Sequence, residues 1–109
     1  MLRDKAMEES TLYATLVPLR TMRAANECFD LCEAMAETGN PASISDAGVG
    51  VLAARAAVLG AGLNVRINAA GLKDREKARE LVERAEAIET EAKERETALL
   101  QTITAKIQG

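Results

Sequence analysis

The chain has 109 residues, enough for one small domain or for part of a larger one. It is 48% apolar, yet only Tyr13 and Phe29 are aromatic. With no histidine, no tryptophan and a net charge of −3, the composition excludes histidine-based nucleophile systems and His-ligated zinc, and it argues against nucleic-acid or anionic-membrane partners.

Alanine fills 21 positions. An apolar fraction built from Ala, Leu, Val and Ile suits close-packed helices better than a sandwich or barrel. The expected fold is all-α. The first predicted helix runs from about Asp4 to Thr38. Met22, Ala25, Phe29, Cys32 and Met35/Ala36 follow helical three-or-four spacing. Pro18 is expected to kink this helix or start a new one, because proline lacks an amide donor. Gly39 is read as a left-handed stop, and Pro41 as confirmation of the break. Cys28 and Cys32, four apart, read as small buried apolar residues; two thiols alone make no zinc site. Their number and the polar N-terminus lead us to expect a reducing, cytoplasmic setting.

The second predicted helix follows Gly39-Asn40-Pro41-Ala42-Ser43 and runs to about Asn68. Ser43 or Ser45 is its expected N-cap, which places Asp46 among free amides in the first turn. From Ala47 to Leu63 the only charged residue is Arg55. All-round apolarity of this kind means a buried helix or a membrane span. The span is rejected on sequence. The stretch is shorter than the roughly 20 residues needed, and Arg55 would cost about 2.5–3.5 kcal/mol to insert. Gly48, Gly50, Gly60 and Gly62 suggest close helix crossings. A buried Arg55 requires a carboxylate, expected from another subunit, a further segment or a ligand.

The third predicted helix begins after Asp74, its N-cap, and reaches about Lys106. Ala78, Leu81, Ala85, Ile88, Ala92 and Leu99 form a narrow stripe that Arg95 interrupts and that Ile103 and Ile107 continue. The charged run Lys73–Arg84 reads as a solvated face. The expected architecture is a helical bundle around a buried Ala/Gly-rich central helix, with a long third helix. A helix buried on all sides needs roughly five or six neighbours, and this chain supplies two. The remaining apolar surface implies an oligomer or a larger subunit.

Three blocks occur in order: Val17-Pro18-Leu19, Gly39-Asn40-Pro41-Ala42-Ser43-Ile44-Ser45-Asp46 and Asn64-Val65-Arg66-Ile67-Asn68. In this order and spacing the chain resembles the cyclodeaminase/cyclohydrolase family of folate enzymes, from about Thr15 to the third helix. The resemblance implies an all-helical subunit, a homodimer, and a folate site in a cleft between helices and subunits. It implies a tetrahydrofolate derivative as substrate and no bound cofactor. Family members are roughly twice as long, and residues 1–109 resemble their C-terminal half as a single helical domain. The expected chemistry is cyclisation of 5-formiminotetrahydrofolate with loss of ammonia, or hydrolysis of 5,10-methenyltetrahydrofolate. A non-catalytic assembly module derived from the family is the alternative.

Asp46 is the candidate catalytic group, able to stabilise the cationic one-carbon unit or accept a proton; its other reading is a capping role without chemistry. Asn40, Ser45, Asn64, Arg66 and Asn68 are the candidate substrate-binding residues. Asn64 and Asn68 share a helix face and suit a pterin edge or a benzoyl carbonyl, or else helix carbonyls. Arg66 lies on another face and suits a folate glutamate tail or a partner's carboxylate, with Lys73 assisting. Asn40 orients its loop or faces the cleft. No metal ligands are assigned.

Overall fold

The structure, a computed structural model, describes residues 1–109 as three α-helices: α1 (Leu2–Thr38), α2 (Pro41–Ala69) and α3 (Arg75–Gln108). They pack up, down and up into a rod of 64 × 17 × 15 Å. Cross-links fix the directions. Asn68 near the end of α2 meets Ala14 near the start of α1, and Lys106 near the end of α3 meets Ala36 near the end of α1.

Helix α1 passes through Pro18 without restarting. It is stabilised along its buried side by Leu19, Met22, Phe29 and Ala36. Its end differs from the expected left-handed glycine. Gly39 has φ −81° and ψ 158°, extended backbone open to any residue. Glycine is required there by space instead: a β-carbon would sit 2.5 Å from the Met35 carbonyl oxygen and 2.7 Å from the Ser43 β-carbon.

The start of α2 also differs from expectation. Asn40, not Ser43 or Ser45, is the N-cap, and its side-chain oxygen accepts from the Ser43 amide at 3.0 Å. Pro41 takes the first helical position. There its missing amide costs nothing and its fixed φ is already helical, so the proline begins the helix as well as ending the loop. At the start of α3, Asp74 caps as expected and accepts from the Lys77 amide at 3.0 Å. Glu8 of α1 adds a second clamp there. Its carboxylate accepts from the amides of Lys73 (2.8 Å) and Asp74 (2.9 Å).

Helix α2 is apolar all round but buried on only one side. Ala47, Val51, Ala54, Val58, Ala61, Val65 and Ala69 face the other two helices. Val49, Leu52, Leu63 and Ile67 stand in the open, with Ile67 73% exposed. Two neighbours cannot enclose a third helix, which is why only 24 of 109 residues are buried. By length and composition α2, with 29 residues, is long and apolar enough to cross a membrane. Length therefore does not argue against a span as the shorter sequence stretch does.

The glycines of α2 divide. A β-carbon on Gly50 would press on the Cys32 sulfur at 2.9 Å, and one on Gly62 would collide with the Glu89 carboxylate. Gly48 lies in ordinary contact with Ile103, and Gly60 is open. Cys32 is buried but Cys28 is exposed, so only one thiol is a core residue. Ile107 is also exposed, and the α3 stripe ends at Ile103. The interruption at Arg95 has a cause. Its guanidinium lies 5.6 Å from the Phe29 ring centre and binds Asp30 (2.7 Å) and Glu33 (2.9 Å), tying α3 to α1.

Candidate functional site

The two long edges of α2 have opposite character. The edge toward α3 is bridged by ion pairs, beside a charged groove of about 360 Å³ that Arg66, Arg75, Arg79, Glu83 and Glu86 help to line. Arg66 holds the Glu89 carboxylate in a bidentate fork, with nitrogen–oxygen distances of 2.8 and 2.5 Å. This hydrogen-bonded guanidinium keeps the Glu89 carboxyl below the usual carboxylate range. Gly62 makes room for that carboxylate. About three turns earlier on the same edge, Arg55 meets Glu96 at 3.2 Å. Arg55 is thus a structural ion pair, but its partner comes from α3 of the same chain. The sequence placed that partner outside the chain because nothing in it registers α2 against α3.

The edge toward the outer side of α1 is open. A groove of about 520 Å³ runs along it. Helix α1 contributes Val17, Pro18 and Thr21. Helix α2 contributes the small residues Ala57, Gly60 and Ala61, and then Asn64 and Asn68. Asn64 is exposed and makes no hydrogen bond within the chain. Asn68 is half-buried and donates from Nδ2 to the Ala14 carbonyl at 2.9 Å. The spacing of four puts both amides into one groove, as the sequence implied.

The groove lies within a larger uncharged face. On α1, Tyr13, Val17, Thr21, Ala24, Cys28, Leu31 and Met35 recur every three or four residues, all exposed. On α2, Val49, Leu52, Ala56, Gly60, Leu63 and Ile67 do the same. Neither stripe carries a charge. The ion pairs Lys77–Glu80–Arg84 lie on α3, where the solvated charged face was expected.

The other candidates stand elsewhere. Asn40 is engaged as the α2 cap. Ser45 and Asp46 are exposed. Asp46 is six residues past the cap and not in the first turn, so the free amides of the helix end are beyond it. It makes no ion pair within the chain. Along α2 it is about 27 Å from Asn64, 18 residues at 1.5 Å each. A single chain therefore does not bring Asp46 and the asparagine pair to one centre. Arg66 faces α3 and is engaged by Glu89. Lys73 contributes its backbone amide to Glu8 and its ammonium to Asp4 at 3.8 Å.

Reading the sequence by itself missed Glu8, Glu89 and Thr21. Glu8 binds amides at the start of α3, Glu89 binds Arg66 of α2, and Thr21, whose hydroxyl bonds only to Val17 of its own helix, meets α2 across the groove; only the register between helices reveals these positions. Pro18 carried an unused signal: a proline inside a helix leaves the carbonyl four residues back without its amide.

Residues 1–87 match the family description "Formiminotransferase-cyclodeaminase". The chain belongs to that family. The match starts at residue 1, ahead of the blocks that begin near Thr15, and so takes in the start of α1. Among curated relatives, the chain is 41% identical to a methenyltetrahydrofolate cyclohydrolase of Methylorubrum extorquens over 105 residues, 96% of this chain and 50% of that protein. It is 39% identical to a formimidoyltransferase-cyclodeaminase of Dictyostelium discoideum over 72 residues, 66% of this chain and 13% of that protein. The chain thus spans about half the length of the first relative and a small part of the second. Two of the three sequence blocks reach the groove, one through Val17 and Pro18 and one through Asn64 and Asn68, whereas the Gly39–Asp46 block does not.

Proposed function

We propose that this chain is the folate-handling helical part of a one-carbon enzyme, with hydrolysis of 5,10-methenyltetrahydrofolate as its first reaction. Identity with the Methylorubrum cyclohydrolase across nearly the whole chain carries this reading. Cyclisation of 5-formiminotetrahydrofolate, suggested by the Dictyostelium relative, is the companion chemistry on the same skeleton.

The groove between α1 and α2 is the surface we assign to the folate. Small residues leave its floor open, and Asn64 offers an unpaired amide to polar edges of a heterocycle. Hydrolysis adds water to the cationic methenyl carbon, so the water must lose a proton. Without histidine the acceptor falls to a carboxylate, and Asp46 is our candidate. Asp46 lies far from the groove of its own chain, so we assign it to a groove completed by a second copy or by further segments. The uncharged face of α1 and α2 is the surface we assign to that partner. We read α2 as a packing helix, not a membrane span, because the Arg55–Glu96 pair sits at its middle and charged α3 lies along it.

A second reading, a non-catalytic assembly module, is favoured by one observation: Asp46 and the asparagine pair do not converge within the chain. A spectroscopic assay separates the two. The purified chain is tested with 5,10-methenyltetrahydrofolate and 5-formiminotetrahydrofolate, alone and supplemented with the part of the relative it lacks. Turnover supports the enzyme. Absence of turnover and of folate binding in both forms overturns it.

A further inference from the structure

Proline inside a helix removes one hydrogen bond, and its ring pushes the carbonyl four residues earlier outward. For Pro18 that carbonyl belongs to Ala14. Here it receives a donor from another helix, Asn68 Nδ2 at 2.9 Å. The chemistry fixes which end of the amide points at α1. A carbonyl oxygen only accepts, so only the NH2 end of Asn68 can face it. The opposite end, Oδ1, takes no hydrogen bond from the chain, and the residue lines the groove. Asn64, one turn earlier, has no such tether.

We infer that Pro18 and Asn68 form a latch that fixes the Asn68 amide and presents its Oδ1 to the groove as an acceptor for an N–H edge of the ligand. Pro18 is the positioning residue and Asn68 the group that touches the ligand. The ligand class is a heterocycle with an amino or ring N–H edge, and the 2-amino-4-oxo-pyrimidine edge of a reduced pterin fits it. That last step rests on the proposed folate function. The latch itself rests on the geometry alone.

The physical consequence is unusual for a proline. Pro18→Ala restores the amide at position 18, gives the Ala14 carbonyl a donor within α1 and thereby loosens its hold on Asn68. A purely structural proline, replaced by alanine at mid-helix, gives a more stable protein with unchanged binding. The latch instead makes the variant more stable and weaker in binding. Two measurements on the full chain test this. Side-chain amide exchange by NMR is expected to show Asn68 protected relative to Asn64 in the native chain, and equal to it in Pro18→Ala. Titration with 5-formyltetrahydrofolate, a stable probe, is expected to show affinity reduced up to about tenfold in Pro18→Ala, the value of one hydrogen bond, with Tm raised by several degrees. Asn68→Ala, which removes the acceptor itself, is expected to weaken binding at least as much.

An Asn68 amide exchanging as freely as Asn64 in the native chain overturns the latch. A protected amide with native affinity in Pro18→Ala overturns its role in presentation. A protected amide in a chain that binds no folate, either alone or supplemented with the part of the relative it lacks, overturns the pterin assignment and the proposed function, while sustaining the latch.

Discussion

The two edges of α2 come from the same alanine-rich stretch and yet do different work. Toward α3, each polar side chain is opposed by one of opposite charge: Arg66 by Glu89 and Arg55 by Glu96. Toward the outer side of α1 there is no charge, and the polar groups are amides with free capacity, Asn64 untethered and Asn68 held at one end only. An edge whose charges are paired across it holds helices together. An edge whose polar groups are unsatisfied, set among small residues and flanked by exposed Leu63 and Ile67, is available to a ligand and a partner. Arg66, although within the same sequence block as Asn64 and Asn68, pairs with Glu89 across to α3, on the other side of α2 from their groove.

The sharpest way to break this comparison is to place charge on the open face. Leu63→Glu with Ile67→Glu is expected to weaken association through this face by at least a hundredfold, because a carboxylate in an apolar interface costs several kcal/mol. The folded chain should be unaffected, since both side chains are exposed. Sedimentation velocity reads the first effect and circular dichroism the second; native association of the double variant would show that the face is not the contact surface.

On the ion-paired edge, Glu89→Gln is expected to lower stability by about 1–2 kcal/mol, the value of a charge-assisted, partly solvated fork. Folate affinity should be unchanged. A variant with native stability but lost affinity would move Arg66 and Glu89 to the functional side.

Asn64→Ala is expected to do the reverse, reducing folate affinity by about tenfold or less while leaving Tm unchanged, because Asn64 makes no bond within the chain. Isothermal titration and thermal melting together decide it.

The smallest effect is in pH. Glu8, held down by the amides of Lys73 and Asp74, and Glu89, held down by Arg66, both titrate below their ordinary value of 4.5. Between the folded and unfolded values the unfolded chain binds more protons, so stability falls as pH falls. Their contribution is complete above about pH 4.5 and is lost as pH drops through the folded values. Glu8→Gln and Glu89→Gln should each flatten the acid side of a Tm–pH profile and leave neutral pH unaffected by titration. Glu8, on the surface, should give the weaker change.

Much of the fold was legible because its signals are local. Periodicity marked three helices, Asp74 marked the start of α3, and the all-round apolarity of α2 announced surface that two neighbours cannot cover. At the start of α2 two local signals compete. The Ser-Ile-Ser-Asp run resembles a cap, but Asn40 followed by proline is a better one, since proline supplies the helical φ and needs no hydrogen bond. The candidate site was legible in part. The four-residue spacing of Asn64 and Asn68 is a property of one helix, and the sequence contains it. Whether Asp46 joins them is not such a property.

The sequence by itself determined the helices, their stripes and the excess of apolar surface, because propensity and period act within a few residues. Only the tertiary structure decided which charges pair, which glycines lie under a neighbour and which amide faces an open groove. Those depend on the axial register of α1, α2 and α3, and a shift of one turn, about 5.4 Å, would reassign every one of them. Register is set by the summed packing of many small contacts, and no single residue states it.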